Sequence, residues 1–194
     1  MQPTRKMGPE TRKNAPERIT SGFYKRFMNG SGIDIGYGGG ARECVLESAH
    51  GIDKDTPGYD GLFLPYADNS LDYVFSSHCL EHIPDYKLTA TLREWMRVLK
   101  VGGRLVTCVP HRDLYEKKLN LPSSWSPDHK RFYTPASLMK EFEDAYEPNT
   151  YRLRHLRDLD TNYDYRVMPN KHPNGSCEIE SVLQKRSPPP WGIA

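Results

Sequence analysis

The chain predicts an α/β fold: a three-layer sandwich around a mostly parallel sheet, closed by an antiparallel strand on its C-terminal side. Two observations carry this expectation. Short apolar runs alternate with segments of helical periodicity between residues 31 and 145. The run Ile33-Asp34-Ile35 also breaks into Gly36-Tyr37-Gly38-Gly39-Gly40, the signature of a strand feeding a tight turn.

The elements follow in order. Residues 1–17 hold Pro3, Pro9, Pro16 and many charges, which predicts a flexible arm. Ile19, Phe23 and Phe27 are spaced for a short helix over 19–28. Strands are expected at 31–35 and 49–53, with a helix over 40–48 between them. Only eleven residues separate Asp53 from Pro65, and Pro57-Gly58 marks a turn. No full helix fits there, so the sheet is expected to be trimmed around its third strand. Tyr73, Val74 and Phe75 mark a buried strand over 71–77. Leu88, Leu92, Trp95, Met96 and Leu99 form one apolar stripe, a helix over 87–100 ended by Gly102-Gly103. Residues 104–110 read as a strand. The connection 111–134 is long enough to serve as a lid or substrate loop. Thr134 and Pro135 supply the cap and first residue of a helix to Ala145. Strands over 151–159 and 177–185 and a tail over 187–194 complete one domain spanning 18–186.

Composition narrows the function. The 194 residues suit one domain, 27% are charged, and the net charge of +2 is too small for a nucleic-acid surface. Cys44, Cys79, Cys108 and Cys177 are scattered, which suits reduced thiols in the cytoplasm. No apolar run reaches the roughly 18 residues of a membrane span, and no apolar leader opens the chain.

Sheets of this kind bind ligands beyond the carboxyl ends of their strands, so the loops after residues 35, 53, 77 and 110 are expected on one face. Glycines at 36–40 allow close backbone approach. Asp53, ending Gly51-Ile52-Asp53, is placed to hold both hydroxyls of a ribose. The pair points to a nucleoside-containing cofactor. A dinucleotide fingerprint needs Gly-x-Gly-x-x-Gly, and here Ala41 stands at its third glycine position.

Four blocks carry a resemblance. They are Asp34 to Gly40, Gly51-Ile52-Asp53, Leu64 to Ile83 with its Ser77-His78-Cys79-Leu80-Glu81-His82, and Trp95 to Leu105. In order and spacing the chain resembles the class I methyltransferases with a Rossmann-like fold, of the type 11 branch that includes ubiquinone and glycan-biosynthesis enzymes. The resemblance implies S-adenosylmethionine as cofactor and S-adenosylhomocysteine as product. It implies O-methylation of a small polar acceptor, a saccharide or related metabolite of polysaccharide biosynthesis. By position, Asp34, Gly36, Tyr37, Gly38 and Gly40 would wall the methionine part, with the Tyr37 ring covering the cofactor. Asp53 and Lys54 would lie at the ribose, Asp60 and Leu64 at the adenine, and Ser77 and His78 near the sulfonium.

A hydroxyl acceptor needs a base nearby. His111, at the end of its strand, His129, before Phe132-Tyr133-Thr134-Pro135, and His78 are the candidates, with His82 read as bracing its loop. Arg112, Lys130 and Arg131 read either as a solvated face or as a site for an anionic acceptor. Trp125 and Tyr133 are candidates to stack on it. No metal is expected, because Asp85, His111, Asp113 and Asp128 lack tight spacing. The lid over 111–134 or a second subunit would close the site. A nucleobase or RNA methyltransferase and a non-catalytic cofactor-binding scaffold are the rival readings.

Overall fold

The computed structural model describes residues 5–60 and 62–191. Six strands form one sheet: β1 (Gly32–Ile35), β2 (Ala49–Ile52), β3 (Leu71–Ser77), β4 (Leu99–Pro110), β5 (Tyr151–Leu159) and β6 (Glu178–Lys185). Their order is β2-β1-β3-β4-β6-β5. The first four run parallel, and β6 is antiparallel to both β4 and β5. The expected α/β sandwich with its antiparallel closure is therefore present. No strand lies between β2 and β3 among the described residues, so the sheet is trimmed where the short 53–65 segment predicted.

Alternation along the strands sorts the core into two layers. Val74, Leu105 and Val109 pack on one face with Leu88, Leu92 and Trp95 of α3 (Asp85–Val98) and Leu138 and Phe142 of α4 (Pro135–Ala145). Tyr73, Phe75, Val106 and Cys108 pack on the other with Phe23, Tyr24 and Phe27 of α2 (Phe23–Phe27). Helix α4 starts as its sequence dictates: the Thr134 hydroxyl accepts from Ser137 N–H at 3.2 Å, and the Ser137 hydroxyl accepts from Thr134 N–H at 2.9 Å. β5 is an edge strand, and its outward arginines are tied down, Arg157 to Glu17 and Arg154 to Gln184.

The helix expected over 87–100 stops at Val98, and Gly102 and Gly103 lie within β4 rather than ending that helix. Two further expectations fail. Residues 40–48 do not form a helix. Gly39 and Gly40 both hold φ of +60°, and the backbone groups that a helix would pair internally are taken elsewhere. Glu43 N–H donates to Lys6 carbonyl, and Val45 N–H donates to the Asp34 carboxylate at 2.7 Å. The expected flexible arm is instead largely α1 (Pro9–Thr20), with Asn14, Ala15 and Arg18 buried. Pro9 occupies the first turn, where its missing N–H costs nothing.

Arg18 explains the docking of α1. Its guanidinium is 1% exposed and pairs with two buried carboxylates of β6, Glu178 and, at 2.6 Å, Glu180. The residues alternate along β6, so both acids project from the same face toward the helix. Burial alone would push the Glu178 carboxyl up. Arg18 and His78 outweigh it and hold the group at about 2.

Arg18→Ala would leave both acids buried without their cation, and a loss of about 3–5 kcal/mol is expected in urea unfolding. The Glu178 carboxyl lies below its ordinary 4.5 in the folded chain. Its contribution is therefore present above that value and is lost as pH falls from there through about 2. Acid unfolding followed by tryptophan fluorescence is expected to show this loss in the wild type and a flatter dependence in Arg18→Ala.

Candidate cofactor and acceptor site

The carboxyl ends of β1 to β4 carry the site. At the end of β1 the chain turns through Gly36, Gly38, Gly39 and Gly40, with φ of +77°, +99°, +60° and +60°. These left-handed angles are what the glycines permit. Gly36 N–H donates to Ile52 carbonyl at 2.8 Å, which ties the turn to the end of β2. One residue further on, Asp53 closes the link. Its Oδ2 accepts from Gly38 N–H and its Oδ1 from Lys54 N–H, both at 2.8 Å. The glycine turn and the acid are thus one unit at the sheet edge, as the spacing predicted.

Other residues of the expected cofactor set have protein partners of their own. Asp34 is buried and spends one oxygen on Val45 N–H; burial pushes its carboxyl up to about 7. The Tyr37 ring lies on Gly51 of β2, where a Cβ would come within 2.6 Å of it. Leu64 is buried in the core, its N–H donating to Glu94 of α3 at 2.7 Å. The Asp60 Oδ1 caps the N–H groups of Leu62 and Phe63, and this lowers its carboxyl. Gly61, next to it, lies outside the described residues. Ser77 is buried and accepts from Thr11 of α1 at 3.0 Å, so α1 reaches over the end of β3.

Arg42 was not singled out in the sequence. Its guanidinium lies against Gly38, where any Cβ would collide with it, and among the described residues it has no carboxylate partner. Its only signal was a cation just past the glycine turn.

The three candidate bases sit on this edge, and each has one ring nitrogen hydrogen-bonded. His78 adopts φ of +51° and places Nε2 at 2.7 Å from Glu178 and Nδ1 at 3.6 Å from Glu81. Burial opposes its charge, but Glu178 and Glu81 outweigh it and raise the imidazole above its ordinary value. His111 accepts from Asp113 N–H at Nδ1, 3.0 Å, so its other nitrogen, 3.4 Å from Asp158, carries the proton when the ring is neutral. Burial lowers this imidazole, so neutrality is favoured. His129 is 5% exposed and bonds Glu116 through Nδ1 at 2.9 Å.

The expected acceptor-binding residues are not one surface. Tyr133 is 1% exposed and belongs to the core, because it enters a bridge with His111 and packs beside Leu138. Arg112 pairs with Asp113, and Arg131 with Asp85 and the Leu80 carbonyl. Lys130 is exposed, while its backbone N–H donates to Glu81 carbonyl. Trp125 donates to Tyr115 carbonyl at 2.9 Å and lies under Lys117. The connection 111–134 is therefore fastened to the strand ends at several points. A 360 Å³ cavity opens between this connection and the 160–177 loop, lined by Lys117, Lys118, Tyr163 and Tyr165 among others. A larger cavity of 450 Å³, at Tyr146, Tyr151 and Trp191, lies by the first residues of β5, at the opposite edge of the sheet. No helix among the described residues is long and apolar enough to cross a membrane.

Comparison with known proteins agrees with this architecture. Residues 56–107 match the methyltransferase domain family. The chain is 34% identical over 128 residues to a probable methyltransferase, ltbC, of Aspergillus luteorubrus, covering 60% of this chain and 45% of that protein. It is 36% identical over 98 residues to phosphoethanolamine N-methyltransferase 2 of Caenorhabditis elegans, covering 38% and 22%. It is 54% identical over 46 residues to a demethylmenaquinone methyltransferase of Corynebacterium efficiens, covering 24% and 19%. The chain thus spans less than half the length of these curated relatives. Among solved structures, an S-adenosylmethionine-dependent methyltransferase of Aquifex aeolicus superposes with a TM-score of 0.57 at 14% identity, over 91% of this chain and 94% of its own. The Burkholderia thailandensis 1,6-didemethyltoxoflavin-N1-methyltransferase gives 0.58 at 14% identity, over 90% and 79%. With the glycine turn and Asp53 at the edge of a sheet ordered in this way, the chain carries the class I S-adenosylmethionine-dependent methyltransferase fold.

Proposed function

We propose that the protein transfers a methyl group from S-adenosylmethionine to a small polar acceptor. One observation carries this reading: the carboxylate that ends β2 is held by the left-handed glycine turn that ends β1. Two oxygens of Asp53 fixed at the sheet edge suit the two hydroxyls of a ribose, and the open glycine backbone suits the methionine part beside it. Arg42, lying on Gly38, is the cation placed for the cofactor's carboxylate. Lys54 and Asp60 flank the ribose and adenine positions.

The cofactor supplies the electrophilic methyl group; the protein's task is orientation and exclusion of water. Ser77 at the end of β3, roofed by α1, and His78 beside it face that end of the site. The acceptor is assigned to the 360 Å³ cavity beside the 111–134 connection, which combines tyrosine faces with lysine charge. That combination suits a polyhydroxylated acceptor bearing negative charge, such as a substituted saccharide. The acceptor atom is then a hydroxyl oxygen. His111 is the base assigned to it: it stands at the end of β4, burial favours its neutral form, it shares Asp113 with the cavity wall, and it takes the proton at Nδ1 once the acceptor displaces Asp113 N–H from that lone pair. His129 and His78 instead hold their carboxylate partners and brace the edge.

Titration calorimetry with S-adenosylmethionine and its demethylated product tests the reading directly. Asp53→Ala removes hydrogen bonds to a charged acceptor, and a loss of roughly 10- to 100-fold in affinity is expected. Absence of binding to the wild type would leave a fold without its cofactor function. His111→Ala is expected to lower turnover by about 100-fold or more while leaving cofactor affinity within a factor of about two. Equal loss of both would remove His111 as the base.

A further inference from the structure

The buried side chains around Glu81 have an arrangement that methyl transfer does not explain. Glu81 is 1% exposed, and neither carboxylate oxygen accepts a hydrogen bond from the described residues. An unpaired buried carboxylate is costly. Yet three imidazole nitrogens surround its Oε1: His78 Nδ1 at 3.6 Å, His129 Nε2 at 3.8 Å and His82 Nε2 at 3.9 Å. Donor atoms of Glu81, His82 and His129 all lie within 4.8 Å of one another.

The opposite nitrogens decide what these atoms offer. His129 Nδ1 is bonded to Glu116 at 2.9 Å, and His78 Nε2 to Glu178 at 2.7 Å. Asp128 Oδ2 stands 2.8 Å from His82 Nδ1, out of line for a hydrogen bond as the side chains lie. Each ring thus has a carboxylate behind it, the arrangement that fixes a metal-bound histidine and raises its basicity. A ring that gives its proton to the carboxylate behind turns a lone pair toward Glu81. For His129, whose Nδ1 is bonded to Glu116, that lone pair meets the Glu81 oxygen with no hydrogen bond between them, which is repulsive unless a cation sits there.

We propose that Glu81, His82 and His129, joined by His78, bind one divalent transition-metal ion of the zinc class. Imidazole nitrogens with a carboxylate oxygen are a borderline donor set that suits zinc rather than magnesium or calcium. Metal–ligand bonds of 2.0–2.1 Å in a tetrahedron put neighbouring donors about 3.3 Å apart. The separations from Glu81 Oε1, 3.6–3.9 Å, need a contraction of about 0.3–0.6 Å each; the remaining pairs within Glu81, His82 and His129 start inside 4.8 Å, and His78 joins by a further turn of its ring. Four protein donors close the coordination sphere, so the ion is structural and leaves no position for an acceptor. It joins the end of β3, which supplies His78 to His82, to His129 in the 111–134 connection. Through Glu116 it also reaches the Arg112–Glu116 turn. The site does not depend on the methyl-transfer reading.

The test uses the intact chain produced without a polyhistidine tag. Metal analysis of the purified protein is expected to give close to one zinc per chain. After chelation, titration with Co²⁺ is expected to reach one equivalent, with the visible absorption of a tetrahedral nitrogen–oxygen site. His129→Gln and Glu81→Gln are expected to abolish those bands. Glu116→Gln, which leaves every ligand in place, is expected to weaken binding roughly 10- to 100-fold. His50→Gln, at an exposed site outside the cluster, is expected to retain one equivalent. Circular dichroism checks that each variant folds. A wild type that purifies metal-free and takes up neither Zn²⁺ nor Co²⁺ would overturn the proposal, as would Co²⁺ bands unchanged in both ligand variants.

Discussion

The buried pairing of Arg18 with Glu178 and Glu180 is the constraint on which the carboxyl edge of this sheet depends. Taking three charges out of water carries a large desolvation cost, recovered only while all three stay together. The pairing therefore admits one placement of α1. That placement brings Thr11 to Ser77 and Glu10 to the neighbourhood of His78 and Glu178. Glu178 then passes the constraint onward, because its second oxygen holds His78. His78 sits in a left-handed backbone conformation that a non-glycine residue adopts only when its surroundings enforce it.

From His78 the polar chain continues to Glu81, His129 and Glu116. A row of acids and imidazoles this deep is unusual in a core otherwise built from Trp95, Phe75, Val106 and similar side chains. It binds together three segments far apart in sequence: the first helix, the turn after β3 and the connection after β4. The site proposed for the methyl donor, at the glycine turn and Asp53, lies beside this row and is simpler in construction. It is backbone N–H groups, one carboxylate and open space.

Much of the architecture was legible because it rests on local rules. The stripe from Leu88 to Met96 and the Thr134-Pro135 start each specify one element, although Leu99, counted in the stripe, already opens β4. The short 53–65 segment announced the missing strand. The failures share a cause. Residues 40–48 have moderate helical pattern, but Asp34 and Lys6, distant in sequence, claim their backbone groups. Residues 9–17 look like a polar arm because their anchor, Arg18, meets its partners 160 positions later. Likewise Glu178 and Glu180 alternate with apolar neighbours, a pattern that normally marks a solvent face. Here that face is covered by α1. At the site, the glycine turn and Asp53 could be read from spacing alone. Tyr133 could not be told from a stacking residue, nor Glu81 from a surface acid, since each depends on what packs around it.

The trimmed sheet has a mechanical consequence. With no strand between β2 and β3 among the described residues, β2 forms the outer border, and it is only four residues long. So brief a border offers little template for another chain to extend the sheet. The segment that replaces the strand is instead moored to the opposite layer: Leu64 to Glu94, and Glu94 to Arg97, which also grips Asp68. The wall on that flank of the molecule is therefore positioned by a helix lying across the sheet rather than by a neighbouring strand. Its freedom to shift is governed by how firmly one arginine keeps two acids in hand.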